Sequence, residues 1–113
     1  RICASMKPTG VLPTERAEEA SQLLKALASP HRLMIACRLA EGEETVGAIA
    51  AWLGVRETVV SQHLAVMRRE RLVSPRREGQ SIYYALRSDA ARDVMAALAR
   101  SFCAVEQVKE PRR

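Results

Sequence analysis

Apolar residues recur at three- and four-residue spacing along most of the chain, in five segments separated by capping or turn residues. This spacing predicts five amphipathic helices. Thr14 is expected to cap the first helix, and Ser29 followed by Pro30 is a typical start for the second. Gly42 and Gly54 are expected to end the second and third helices. The five segments are TERAEEASQLLKALAS, SPHRLMIACRLAEG, ETVGAIAAWLG, VRETVVSQHLAVMRRERL and SDAARDVMAALARSFCAVEQV.

The same spacing predicts which side chains of these helices face the core. The fourth helix is expected to have one apolar face and, opposite to it, a face of small polar and basic side chains. That polar face comprises Thr58, Ser61, Gln62, Ala65, Arg68 and Arg69. The predicted inward positions are Leu23, Leu24, Leu27, Ala28, Val46, Ile49, Ala50, Leu53, Val60, Leu64, Met67, Val94, Leu98, Phe102 and Val105.

Between the fourth and fifth helices the pattern changes to two short runs, 72–76 and 81–87, on either side of Glu78–Gly79. Their β-branched and aromatic residues, with glycine between them, predict a β-hairpin. We therefore predict a mainly α fold with a small β-hairpin. The tight turn at Gly54 makes the third and fourth helices a candidate helix-turn-helix. The predicted organisation is a flexible N-terminal arm at 1–13, one domain at 14–108 and a C-terminal tail at 109–113.

Composition narrows the class of protein. The 113 residues are 48% hydrophobic and 27% charged, a balance typical of a globular domain and not of a disordered chain. A net charge of +5 favours a polyanionic partner such as nucleic acid. There is no apolar run of transmembrane length and no signal-peptide core, so we expect a cytoplasmic protein. The three cysteines, Cys3, Cys37 and Cys103, form no CxxC motif and do not indicate a disulfide scaffold.

The polar face of the fourth helix is suited to the major groove of DNA, where the N-terminal residues of a recognition helix approach base edges. Gln62 can pair with adenine, and Thr58 or Val59 can contact a thymine methyl group. Arginines at the end of this helix and at the hairpin tip are expected to bind phosphates. Taken one at a time, these side chains could simply be solvated. The full set of predicted DNA-binding residues is Arg56, Glu57, Thr58, Val59, Ser61, Gln62, His63, Arg68, Arg69, Arg76, Arg77, Gln80 and Ser81.

Three stretches, ALASPHRL, VSQHL and REGQSIYYAL, resemble the ArsR/SmtB family of bacterial winged helix-turn-helix repressors. The resemblance runs from about Leu23 to Leu86. It implies a homodimer built through the first and last helices, a palindromic double-stranded operator, and release from DNA when an inducer binds. The chain departs from the family pattern at Arg56 and Glu57, where the family usually has serine and glutamine. Arginine is a poor helix cap, so the family's base preferences are not carried over to these two positions.

The inducer class is predicted from potential ligand residues. Family members that sense metals use cysteines near the third helix, or Asp, His and Glu on the last helix. Here the third helix has no cysteine, and the last has Asp89, Asp93 and Glu106 but no histidine. We predict no cofactor and no metal site. The chain is instead similar to the sulfide- and persulfide-responsive subgroup, which implies that Cys37 and Cys103 are a sensing pair linked by reactive sulfur species or other oxidants.

Four alternatives stay open at this stage. Each cysteine could be a small buried apolar side chain without a sensing role. The protein could respond to a metal or metalloid. It could bind DNA constitutively. It could be a thiol enzyme, such as a persulfide transferase or peroxidase, although the sequence has no CxxC, no thioredoxin-like βαβ pattern and no Cys–His–Asp set at plausible spacing. Cys3, in the predicted arm, is expected to be a bystander.

Overall fold

The computed structural model describes the backbone of residues 12–112 and the side chains of residues 12–102. Five helices and a β-hairpin occur in the predicted order, and a short additional strand precedes the third helix. The elements are α1 (Thr14–Leu27), α2 (Pro30–Ala40), β1 (Glu44–Thr45), α3 (Val46–Leu53), α4 (Glu57–Arg69), β2 (Val73–Glu78), β3 (Ser81–Leu86) and α5 (Asp89–Arg112).

Local chemistry at the helix ends explains most of these boundaries. The Ser29 hydroxyl accepts a hydrogen bond from the Arg32 N–H at 3.3 Å, and Pro30 occupies the first turn of α2, as predicted. Gly54 ends α3 in the left-handed conformation, with φ of 74°. The prediction that Thr14 caps α1 was wrong. Pro13 precedes the first helical residue in an extended conformation, so Thr14 is already inside the helix.

The sheet has three antiparallel strands in the order β1-β3-β2. In the hairpin, Arg76 lies opposite Tyr83, and on the other side of β3 Thr45 also lies opposite Tyr83. Strand β1 was not predicted because its two residues carry no alternating pattern. Thr45 has two roles, since its hydroxyl also accepts a hydrogen bond from the Ala48 N–H and so caps α3. This strand joins the helix-turn-helix directly to the hairpin.

At the two ends of the chain, the predicted organisation can be compared with the structure only where the residues are described. Most of the predicted arm, residues 1–11 with Cys3, lies outside the described residues, as do the side chains of Cys103 and Val105. Helix α5 continues past the predicted boundary at residue 108 as far as Arg112, so most of the predicted tail belongs to this helix. No helix in the described part of the chain is both long and apolar enough to cross a membrane.

The core forms around α2, which packs against α1, α3, α4, α5 and β3. The predicted inward residues of α3 and α4 are confirmed, and Ile49, Val60 and Met67 have no exposed surface. The predicted stripes of α1 and α5 are only partly correct. Leu24 and Phe102 are 55% and 70% exposed, while Ala26 and Met95 are buried instead. These two helices therefore have apolar side chains that nothing within the described protomer covers.

A polar contact joins α2 to α4 beside the core. Arg32 donates a hydrogen bond from Nη1 to Nδ1 of His63 at 3.3 Å and another from Nε to the Ala26 carbonyl at 2.5 Å. The His31 and His63 rings meet edge to face, with centroids 5.3 Å apart. Because a guanidinium can only donate, Nδ1 of His63 must be unprotonated. Burial lowers the pKa of His63, and the positive charge of Arg32 and the neighbouring His31 lower it further.

We expect Leu64→Ala to lower the free energy of unfolding by about 2–5 kcal/mol, because it removes a buried side chain from the contact between α4 and the core. Gln62→Ala, on the exposed face of the same helix, should change this free energy by less than about 0.5 kcal/mol. Urea unfolding followed by circular dichroism measures both. Equal losses in the two variants would contradict the assignment of the two faces.

His63 should make folding stability depend on pH. Its pKa is lower in the folded chain than the value of about 6.5 in the unfolded chain, so the unfolded chain binds more protons between the two values. Stability is therefore full above about pH 6.5 and is lost as the pH falls below it. Urea unfolding at a series of pH values, at one protein concentration, should show a smaller loss in His63→Gln than in the parent. An equal loss in both proteins would rule out His63 as the cause.

Candidate nucleic-acid interface

Helix α4 has the two faces that a recognition helix requires. Val60, Leu64 and Met67 fix it to the core. Its opposite face is fully accessible, and every member of the predicted polar face is exposed, as are Arg56, Glu57, Gln80 and Ser81 among the other predicted DNA-binding residues. Arg56 stands at the cap position without a side-chain hydrogen bond to the helix, as its poor capping chemistry predicts. The first-turn N–H groups of α4 therefore have no side-chain cap.

The Glu57 carboxylate is directed toward α3. A Cβ atom built on Gly47 would lie 3.2 Å from Oε2 of Glu57, so this carboxylate rests against the α3 backbone where glycine leaves space. A carboxylate near the first turn of a helix interacts favourably with the helix dipole. This placement brings together the two helices of the helix-turn-helix.

Two of the predicted DNA-binding residues of α4 are partly internal. Val59 is half-buried. His63 is also half-buried and contacts Arg32 and His31 of α2, as described above. His63 therefore contributes to the junction between α2 and α4, where its ring is hydrogen-bonded to Arg32 and packs against His31. The sequence placed it correctly on α4 but could not show which neighbour it would face.

The basic residues of the hairpin differ in their surroundings. Arg76 forms ion pairs with Glu43 and Glu78, each at 2.7 Å, and lies over the Tyr83 ring. Its hydrogen bonds lower the pKa of Glu43, and those carboxylates in turn raise the pKa of Arg76 above its ordinary value. Within the described part of the chain, Arg77 forms no ion pair.

A groove lies between the end of α4 and the hairpin. It is lined by Arg68, Pro75, Arg77, Ile82 and Tyr84. One arginine therefore comes from the helix and one from the hairpin, and both line the same concave surface. Two guanidinium groups on such a surface are suited to the phosphate backbone of a nucleic acid, which planar, bidentate donors recognise well. The structure thus brings together cations that are distant in sequence.

Cys37 is half-buried in α2 and packs against the hydrophobic core. Helix α2 packs against α5, the helix that carries Cys103. The neighbouring Arg38 is directed elsewhere, because its Nε donates to Oε2 of Glu44 at 3.2 Å and its guanidinium lies 4.9 Å from the centroid of the Trp52 ring. Among the described residues, no three or more His, Cys, Asp or Glu side chains are grouped as they would be around a metal ion.

The sequence patterns did not identify four residues that contact the arginines or the histidine of this region. They are Glu43, Glu44, Trp52 and Arg32. Glu43, beside a predicted helix end, and Arg76, in the hairpin, carry complementary charges and form an ion pair. Their pairing depends on strand β1, which the sequence pattern did not reveal. Arg32 carried no signal, because arginine early in a helix is usually solvated.

Known proteins resemble the chain closely. A family model described as bacterial regulatory protein, arsR family, matches residues 29–74. The biofilm growth-associated repressor of Agrobacterium fabrum is 46% identical over 93 residues, which cover 82% of this chain and 80% of that protein. The transcriptional repressor BigR from Xylella fastidiosa has a similar structure, with a TM-score of 0.74 and 39% identity over 79% of this chain and 91% of that chain.

A third match is the homodimeric winged helix-turn-helix DNA-binding domain of a possible ArsR-family regulator from Mycobacterium bovis. Its TM-score is 0.69, with 31% identity, and the match covers 87% of this chain and 92% of that chain. These similarities agree with the exposed face of α4, the adjoining hairpin and the groove between them. The chain therefore belongs to the ArsR/SmtB family of bacterial winged helix-turn-helix repressors, as a DNA-binding transcription regulator and not as an enzyme.

Proposed function

We propose that the protein is a homodimeric repressor that binds operator DNA in the cytoplasm and leaves it when reactive sulfur species or other oxidants link Cys37 to Cys103. The observation that carries this proposal is the position of Cys37. It lies half-buried in α2, on the core, and α2 packs against the helix that carries Cys103. The 46% identity to a repressor supports repression as the direction of control.

The dimer is proposed to form through α1 and α5. Leu24 on α1 and Phe102 on α5 are large apolar side chains that are mostly exposed in the protomer. A second copy would remove them from water, and one similar structure is homodimeric. A two-fold dimer presents two copies of α4, which reach successive major grooves when they are about 34–36 Å apart. A palindromic double-stranded operator is the matching partner.

The exposed residues of α4 are proposed to read bases, and the basic residues around the groove to bind phosphates. Thr58, Ser61 and Gln62 stand on the open face near the start of the helix. Arg68 and Arg77 line the groove, and Arg69 is exposed beside it. Glutamine forms paired hydrogen bonds with adenine, so Gln62 is the first candidate for sequence specificity.

The cross-linking step conserves atoms and electrons. One thiolate of the pair attacks the outer sulfur of a persulfide, which leaves as the ordinary thiol and converts the cysteine to a persulfide. The second cysteine thiolate then attacks Sγ of the first cysteine, the inner sulfur of its persulfide. This breaks the bond to the outer sulfur, which leaves as hydrosulfide, and forms the disulfide. The two protein thiols are oxidised, and the persulfide is reduced to a thiol and sulfide. A further persulfide lengthens the link by one sulfur atom in two exchanges. Its outer sulfur attacks one cysteine Sγ and releases the other cysteine as thiolate, and that thiolate then attacks the transferred sulfur and expels the remainder of the persulfide as an ordinary thiol.

The length of the link is proposed to decide selectivity between oxidants. A direct disulfide requires Cα atoms roughly 4.4–6.8 Å apart. A pair slightly farther apart strains the disulfide but accommodates a chain with additional sulfur. Only a sulfur donor can supply the additional sulfur atoms, whereas hydrogen peroxide can form no link other than the direct disulfide. Persulfides would then release DNA more efficiently than peroxide at equal oxidising capacity.

We expect Arg77→Gln to weaken DNA binding at every sequence tested, and to reduce the slope of log K against log salt by about 0.9, because one phosphate contact is lost. Gln62→Ala should leave this slope unchanged and reduce discrimination against a substituted base pair by about 1–3 kcal/mol. Fluorescence anisotropy with a duplex selected from a random pool by the parent protein measures both effects. If Arg77→Gln lost discrimination between base pairs and Gln62→Ala kept it, these two roles would be contradicted.

Treatment of the reduced protein with glutathione persulfide should join Cys37 to Cys103 and release the selected duplex. Peptide mass spectrometry identifies the link, and an added sulfur atom distinguishes the longer chain from a disulfide. Cys37→Ser and Cys103→Ser should each bind DNA like the parent and fail to respond. Cys3→Ser is the matched control and should respond fully.

Hydrogen peroxide and zinc chloride serve as comparison treatments on the same samples. Unchanged DNA binding after persulfide, with both thiols still reduced, would overturn the sensor proposal. Tight stoichiometric binding of zinc, accompanied by DNA release, would replace it with metal sensing. A full response in the Cys37→Ser protein would show that the response lies elsewhere in the chain.

A further inference from the structure

Arg76 crosses the whole three-stranded sheet. It stands opposite Tyr83 in the pairing of β2 with β3, and Thr45 of β1 stands opposite the same tyrosine on the other side. The Arg76 guanidinium carbon lies 5.1 Å from the centroid of the Tyr83 ring. Beyond the ring, the side chain reaches Glu43, immediately before β1. The hairpin of β2 and β3 is the wing of this fold. One side chain thus connects β2, the outer strand of the wing, to the segment that leads into the helix-turn-helix.

All three guanidinium nitrogens of Arg76 are occupied. Nε donates to Oε2 of Glu43 at 3.0 Å, and Nη2 donates to Oε1 of the same carboxylate at 2.7 Å. Nη1 donates to Oε1 of Glu78 at 2.7 Å. The contact with Glu43 is the bidentate arrangement in which both oxygens meet parallel donors, the geometry that fixes orientation best. Glu78 is the last residue of β2, so the same group also contacts the start of the wing turn.

The charges argue against a direct phosphate contact by Arg76. Two carboxylates share its single positive charge, and a phosphate that approached it would meet both of them. Arg77, the next residue, forms no ion pair in the described part of the chain and lines the groove beside α4. The two adjacent arginines therefore have different surroundings, although the sequence suggested one role for both.

We propose that Arg76 is a positioning residue, which fixes the angle of the wing against the helix-turn-helix through Glu43, and that Arg77 makes the phosphate contact. This inference rests on the proposed operator binding and adds to it that the two adjacent arginines of the wing have different roles. Because the Glu43 contact bridges the two parts of the DNA-binding surface, its loss leaves each part folded and loosens their relative placement.

The test compares the salt dependence of DNA binding in four single variants and one double variant. The single variants are Arg76→Gln, Arg77→Gln, Glu43→Gln and Glu41→Gln, and the double variant combines Arg76→Gln with Glu43→Gln. Glu41 is an exposed glutamate near Glu43 that forms no ion pair within the described residues, so Glu41→Gln is a matched control for the change in charge. The probe is the duplex selected from a random pool by the parent protein. Thermal unfolding of each variant verifies that the fold is retained.

Arg76→Gln and Glu43→Gln should each weaken binding by roughly threefold to tenfold with the salt slope unchanged. The double variant should be no weaker than either single variant, because both remove the same contact. Arg77→Gln should reduce the slope by about 0.9. Glu41→Gln should bind as the parent does or slightly more tightly.

Two results would overturn the inference. A slope reduced by Arg76→Gln as much as by Arg77→Gln would make Arg76 a phosphate contact. Tighter binding by Glu43→Gln than by Glu41→Gln would mean that Glu43 withholds the arginine from DNA and does not position the wing. If the parent protein itself lacks salt-dependent DNA binding, the proposed function fails as well, and the two failures are therefore distinguishable.

Discussion

The close packing around α2 is the constraint on which the rest of this structure depends. Ile35 and Ala36 have no exposed surface and Leu39 is 2% exposed, because α1, α3, α4, α5 and β3 all pack against this helix. Cys37 follows Ala36 directly and packs on the same core. Protein interiors are as dense as organic crystals, so a new covalent link at this half-buried position would act on the core beside it. In the proposed response, the helices around α2 would adjust to that link.

Polar contacts connect α2 to both parts of the DNA-binding surface. Arg32 bonds to His63 on α4, and Arg38 bonds to Glu44 of β1 while it stacks on Trp52 of α3. In the proposed response, a displacement of α2 would act on α4 through Arg32, and on β1 and α3 through Arg38. Hydrogen bonds and ion pairs of this kind fix the orientation of α2 relative to α4 and β1, whereas apolar packing alone would allow these elements to slide past one another. Arg38 follows Cys37 directly in the sequence, and its guanidinium contacts Glu44 and Trp52.

Local features of the sequence were sufficient to predict the helices, the Ser29 cap and the two faces of α4, because each depends on neighbours within one or two helical turns. The features that were missed are non-local. Strand β1 exists only because Tyr83 and Tyr84 pair with it, and the Arg76–Glu43 contact exists only because β1 is there. Likewise, hydrophobic spacing marked Leu24 and Phe102 as apolar positions but could not tell whether their partners belong to the same protomer. Sequence patterns predicted the basic residues of the candidate interface, but they gave no sign that Arg76 is paired with Glu43 and Glu78 while Arg77 lines the groove beside α4.

The proposed release of DNA by a link between Cys37 and Cys103 would require a rearrangement of the folded protein and not its unfolding, as a comparison of energies indicates. A bond that closes a loop this long stabilises a folded chain by on the order of 4 kcal/mol relative to its unfolded state, in the chain-entropy account. A hundredfold loss of DNA affinity requires only about 2.7 kcal/mol of preference for the arrangement that does not bind. The link can therefore favour the folded chain and disfavour the DNA-bound form at the same time. In the proposed dimer, the spacing of the two α4 helices would supply the sensitivity, because a change at α1 and α5 would displace both from successive major grooves together.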